Sequence, residues 1–273
     1  GILLFASLGF KWINTYSLWD DEANTALFAG SVHSTGDTSA VIGHNIVAFR
    51  NGAELNSSKK ARYVSPFQYY FLAPFIDPAH PDPMKARLPF LVLTLFSLAL
   101  IYWRIIKQKL PTPIVFAFFC LSFGLTSFLL FGIQARYYAL TFFFALLLSD
   151  QYFFGKLQTT RQFFRFGLVG SFLFISNYLI GVAALVSLFT HYLFIRRGSI
   201  RNIWALLVPH VILSMPVFLI WNPLGKTVVE MKNSPFDKLN LLFRYVRDFI
   251  GGHLGSLVLL LLGIFLFQKP DCT

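Results

Sequence analysis

Asp20, Asp21 and Glu22 stand in a row behind Trp19, the densest run of acids in the chain. They are a quarter of the 12 acidic residues among 273. Ionised side chains are costly in or beside hydrocarbon, and the triplet follows an apolar run, so its position needs a chemical reason. Capping is one such reason, because carboxylates in a first helical turn gain about 0.3–1 kcal/mol from the helix dipole. Three adjacent acids repel one another, which offsets that gain. The alternative is a cationic partner or a proton-transfer role, in which one carboxylate takes the proton of an attacking hydroxyl.

The candidate cations lie further along. Gln134-Ala135-Arg136-Tyr137-Tyr138 places an arginine in a very short turn between two apolar runs. The planar guanidinium fork suits two phosphate oxygens, and a snorkelling interfacial arginine is the plainer alternative. Lys59, Lys60 and Arg62 form a second patch, suited to lipid head groups or to an anionic substrate. His33 and His44 share a loop with the acids and are the candidates for holding a divalent ion, but they lack paired ligand spacing, and lone histidines in loops are usually polar surface. Cys120 and Cys272 give neither a disulfide framework nor metal spacing. Asp150, near the inner end of a later span, reads as a helix-pairing or interfacial residue.

The elements that must position these groups are membrane helices. The chain is 56% hydrophobic, 18% aromatic and 13% charged, with 33 phenylalanines that a soluble surface could not accommodate. Several apolar runs approach the roughly 20 residues needed to cross a bilayer. Hydropathy and charge predict spans at 88–103, 113–132, 137–154, 166–177, 178–194, 203–221 and 252–267, after a remnant at 1–10. Ser176-Asn177-Tyr178 is the expected turn of a hairpin, and one long tilted helix is the competing reading. Only about ten apolar residues precede Lys11, roughly 15 Å of helix and half a span. The chain is therefore expected to be one membrane domain, 1–273, belonging to a longer protein.

Charge sets the expected orientation. Arg104, Lys107, Lys109, Lys156, Arg161, Arg165, Arg196, Arg197 and Arg201 fall between spans with no acid among them, and should face the cytoplasm. The loops at 11–87, 133–136 and 222–251 hold ten of the twelve acids and should face outward. The net charge of +11 thus reflects topology, and a nucleic-acid partner is not expected. In the first outer loop, 11–87, Ala23, Ala26, Leu27 and Gly30 give a helical face, and the stretch 63–76 is aromatic but broken by Pro66 and Pro74. Both read as helices lying in the interface.

Four segments occur in order: Leu18-Trp19-Asp20-Asp21-Glu22-Ala23, Ser65-Pro66-Phe67-Gln68-Tyr69-Tyr70-Phe71-Leu72, Ala86-Arg87-Leu88-Pro89 and Gln134-Ala135-Arg136-Tyr137-Tyr138-Ala139-Leu140. Together they resemble the GT-C type membrane glycosyltransferases, specifically glycosyltransferase family 39, which is similar to protein O-mannosyltransferases and to the lipid A aminoarabinose transferase. The resemblance implies an all-α polytopic bundle, multi-pass in a bacterial or archaeal plasma membrane, with the catalytic loop outside. It implies transfer of a sugar from a polyprenyl-phosphate donor to a lipid, glycan or protein acceptor. Asp21-Glu22 match the family's Asp-Glu pair, whose aspartate is taken as the base; Asp20 is an additional acid, and the choice between Asp20 and Asp21 stays open. Arg136 with Tyr137, and Lys60 with Arg62, are the expected partners of the donor phosphate. Some family members bind a divalent ion. A single displacement would invert the anomeric centre. The rivals are a transporter or flippase of lipid-linked or anionic substrates, which would carry charge within its spans, and a non-catalytic envelope assembly subunit.

Overall fold

A computed structural model describes residues 2–47, 55, 58–62, 64–78, 82–113, 115–116, 126–155, 157–195 and 203–221. These residues are mostly helical. The helices are α1 (Ile2–Trp12), α2 (Asp20–Thr35), α3 (Phe67–Leu72, continued by a 3₁₀ turn at Ala73–Phe75), α4 (Pro83–Gln108), α5 (Thr126–Ile133), α6 (Tyr137–Phe153), α7 (Thr160–Ser176), α8 (Tyr178–Ile195) and α9 (Ile203–Trp221). A small hairpin, β1 (Val41–Ile42) and β2 (Asn45–Ile46), pairs Val41 with Ile46 and Ile42 with Asn45. The helices α4, α8 and α9 are long and apolar enough to cross a membrane. The expected span at 252–267, the loop at 222–251, both cysteines and the middle of the expected 113–132 span lie outside the described residues.

Local signals explain the helix ends. Pro83 opens α4, where its missing N–H is no loss, and Asp82 accepts from the Met84 N–H at 2.8 Å. The helix runs five residues past the expected end of its span, so Arg104 belongs to it rather than to a loop. Gly36, at φ 78°, ends α2 by donating its N–H to Val32. Thr159 and Gln162 form a reciprocal capping box at the start of α7.

The turn at Asn177 is a hairpin, as expected. Asn177 leaves the helical region at φ −156° and its side chain accepts the Ile180 N–H that opens α8. The two helices lie antiparallel: Phe163 at the start of α7 packs on Tyr192 near the end of α8. A Cβ on Gly181 would stand 2.5 Å from Phe174 Cα, so only glycine permits this approach. Within lipid the hydrophobic effect gives helices little reason to associate, and close packing of small residues takes its place. Gly167 is the other such point, since a Cβ there would stand 2.3 Å from the Leu206 carbonyl of α9. Gly167→Ala should therefore cost about 1–3 kcal/mol, read as a lower melting temperature in detergent.

Direction alternates along the bundle. The end of α1, the starts of α4 and α6 and the end of α5 gather at one end, where Arg87 and Glu22 meet Ile13, Tyr16 and Ala135. Phe172, late in α7, packs on Phe67 of α3, and Trp221, closing α9, packs on Tyr70 of α3. A core of Ala26, Ala29, Leu72, Ala86, Phe90 and Leu140 joins α2, α3, α4 and α6 there. The opposite end is closed by Leu148, Tyr152, Phe163, Phe166, Tyr192 and Leu206.

Candidate active site

The four sequence segments converge at the first of these ends. The centre is Glu22, 0% exposed, in the first turn of α2. Its two oxygens accept from Arg87 Nε at 2.9 Å and Nη2 at 2.5 Å, and Oε1 also accepts the Ala135 N–H at 2.9 Å. Arg87 spends its remaining hydrogens on backbone carbonyls: Nη1 donates to Ile13 at 3.0 Å and Tyr16 at 2.8 Å, and Nη2 to Ser17 at 3.1 Å. Five hydrogen bonds thus match the five N–H groups of a guanidinium. Glu22 was expected beside the aspartates as a catalytic acid; its carboxylate is instead taken up by Arg87 and the Ala135 N–H, and pins the 13–17 turn, α2, α4 and the 134–136 turn together.

That pairing also sets the rotation of α2. Glu22, Thr25, Ala26 and Ala29 are its buried stripe at i, i+3, i+4 and i+7, whereas Leu27, expected on the packed face, is exposed. Asp21, one residue away, consequently faces outward. Its side chain is 39% exposed and accepts a hydrogen bond from Arg136 Nη1. Asp20 is exposed and makes no ion pair among the described residues.

Arg136 sits just ahead of α6 in extended backbone, φ −143° and ψ 172°. Its guanidinium lies 5.2 Å from the Tyr137 ring and 5.6 Å from the Tyr138 ring. Its Nε has no partner among the described residues. Next door, the Tyr137 N–H donates to Gln68 Oε1 at 3.1 Å. A cavity of about 840 Å³ opens on the other face of the Glu22–Arg87 pair. Leu8, Trp12, Tyr16, Trp19, Phe131 and Gln134 line it, and its surface is almost wholly apolar.

The second basic patch goes elsewhere. Lys60 Nζ reaches Asp37 Oδ2 at 2.6 Å and Arg62 Nη2 reaches it at 2.7 Å. Asp37 follows the far end of α2, 16 residues past Asp21, or about 24 Å along a helix. The expectation that Lys60 and Arg62 share the donor phosphate with Arg136 is therefore corrected: an acid in the same loop claims them. Arg62 also stacks 4.1 Å over Trp221 and donates to Thr38 Oγ1 at 3.0 Å, tying the loop to the end of α9. Lys59 turns the chain here, at φ 55°.

Asp37 makes this clip sensitive to acid. Burial alone would raise its pKa, but hydrogen bonds from Lys60, Arg62 and the Thr38 N–H hold it below the ordinary 3.8. A depressed carboxylate stabilises fully above the ordinary value and loses that contribution as pH falls through its folded value. Protection factors of the Thr38 and Ala61 amides should therefore fall as pH drops below 3.8, and should lose this pH dependence in Asp37→Asn.

The histidines stay apart. His33 Nδ1 lies 2.9 Å from the Ala73 carbonyl, and His44 is in the exposed turn between β1 and β2. Among the described residues no three His, Cys, Asp or Glu side chains gather as a metal would require. This donor set does not fit a divalent ion at the triplet. Asp150 pairs α6 with α4 as expected, through Arg104 Nη2 at 2.5 Å, beneath Trp103 and Phe154.

Comparison with family models, curated proteins and solved structures finds no match to this chain. The functional reading thus rests on the site itself and on the ordered segments that build it.

Arg87 and Gln68 are the residues to which the sequence assigned no task. Each left a trace: Arg87 is a cation heading a long apolar run, and Gln68 is the lone amide in an aromatic stretch.

Proposed function

We propose that the protein is a membrane glycosyltransferase that moves a sugar from a polyprenyl-phosphate donor to an acceptor at the outer membrane face. The observation that carries this reading is the Asp21–Arg136 pair: a half-exposed carboxylate and a cation held together on a rigid, buried frame. These are the two groups that such a transfer requires. The acceptor oxygen attacks the anomeric carbon, and its proton passes to the Asp21 carboxylate. The anomeric C–O bond breaks, its electron pair leaves on the phosphate oxygen, and Arg136 meets that growing charge. A single displacement inverts the anomeric centre.

The resting pair adds a logic to the order of events. While Arg136 is bound to Asp21, the carboxylate is a poor base. A donor phosphate arriving at Arg136 draws the guanidinium away and frees Asp21 for the acceptor proton. The apolar cavity beside Glu22 and Arg87 has the size and lining for a lipid chain at the same level. Charge is consistent with an outward site: among the described residues the opposite end carries Arg104, Lys107, Lys109, Arg161 and Arg165 against Asp150 alone, whereas Lys60, Arg62, Arg87 and Arg136 at the site end are each paired with an acid.

The test is turnover in proteoliposomes supplied with polyprenyl-phosphate sugars. Release of polyprenyl phosphate, with the sugar transferred in the inverted configuration, is the expected result. Movement of intact donor across the bilayer without release would overturn the reading in favour of a flippase.

A further inference from the structure

Arg136 does not fix its own backbone. As the residue before α6 it offers no side-chain cap, so the first helical N–H, that of Tyr137, is an orphan donor in need of an acceptor. Gln68 supplies it at 3.1 Å from α3, reaching across 69 positions of sequence. Gln68 is 1% exposed, and its Nε2 is anchored on the Ser65 carbonyl at 3.5 Å. On the other side of Arg136, the Ala135 N–H is held by Glu22 at 2.9 Å. The N–H groups of the two residues flanking the arginine are thus gripped by buried side chains from two separate segments.

We infer that Gln68 is a positioning residue of the site, fixing the backbone after Arg136 so that the guanidinium meets Asp21 and the donor phosphate. This rests on the reading of Arg136 as the phosphate-binding group. Side chains that orient a reacting group matter through displacement: a shift of about 1 Å can cost on the order of a hundredfold in rate. Glu22 alone would leave the Tyr137 side of the turn free to swing. Gln68 closes that freedom without touching substrate.

Equilibrium binding of farnesyl phosphate to the protein in nanodiscs tests this, with melting temperature measured on the same samples. Arg136→Met should abolish binding. Gln68→Met, which keeps length and loses the acceptor oxygen, should weaken binding about tenfold. Tyr137→Pro removes the same N–H by another route; proline suits the first helical position, and the extended Arg136 suits the residue before proline. It should weaken binding well beyond Tyr137→Ala, which loses the same ring but keeps the N–H, and that difference decides the matter if Gln68→Met does not fold.

Wild-type affinity in Gln68→Met or Tyr137→Pro, with binding lost in Arg136→Met, would overturn the role of Gln68 and leave the anion site standing. A lower melting temperature with unchanged affinity would do the same, reducing Gln68 to a helix cap. Wild-type affinity in Arg136→Met would remove the underlying reading and this inference with it.

Discussion

Replacing Arg87 with methionine should lower the unfolding free energy by about 3–5 kcal/mol, because it strands a buried carboxylate. Glu22 is 0% exposed and Arg87 supplies two of the hydrogen bonds to its oxygens. The same change leaves the Ile13, Tyr16 and Ser17 carbonyls without their donor. Arg87→Lys should not rescue it. An ammonium has three donors in a cone, where five acceptor contacts require the planar fork. Thermal melting in detergent reads the loss. Glu22→Gln combined with Arg87→Met should melt above Arg87→Met alone, because no uncompensated charge remains.

Asp21→Asn should behave in the opposite way. Its carboxylate is partly exposed and paired on one side only, so the fold should hardly notice an amide in its place. Turnover should fall by about 10²–10⁴-fold, the usual contribution of a positioned general base. Donor phosphate should bind at least as well as before, since Arg136 no longer has a carboxylate to leave. That pairing of lost turnover with retained anion binding separates a base from a structural acid. Asp20→Asn should keep most of the turnover, because Asp20 is exposed and makes no ion pair among the described residues.

What the sequence revealed and concealed divides along physical lines. The helix hairpin at Asn177 was legible because its signals are local: an asparagine cap and a glycine four residues on, within a run too long for one span. The pairing of Asp21 with Arg136 was legible as charge chemistry, since a carboxylate beside hydrocarbon needs a cation. The division of labour within the triplet was not. Asp20, Asp21 and Glu22 differ little in type, and only the rotation of α2, set by an arginine 65 positions away, decides which is buried. Lys60 and Arg62 misled for a related reason: their partner, Asp37, lies in the same loop and becomes their neighbour only when the chain folds back to pair Ser39 with Lys60. Gln68 was concealed by company, as a polar side chain in an aromatic run gives no hint that its acceptor serves a helix formed 69 residues later.

The central claim is that adjacent acids have separate tasks, Glu22 holding the frame and Asp21 taking the proton. Turnover of a polyprenyl-phosphate sugar, measured beside melting temperature for Glu22→Gln, Asp21→Asn and Asp20→Asn, tests it most directly. The account predicts a crossed pattern: Glu22→Gln melts early, Asp21→Asn melts like the parent but fails to turn over, and Asp20→Asn resembles the parent in both. Parental turnover in Asp21→Asn would contradict it.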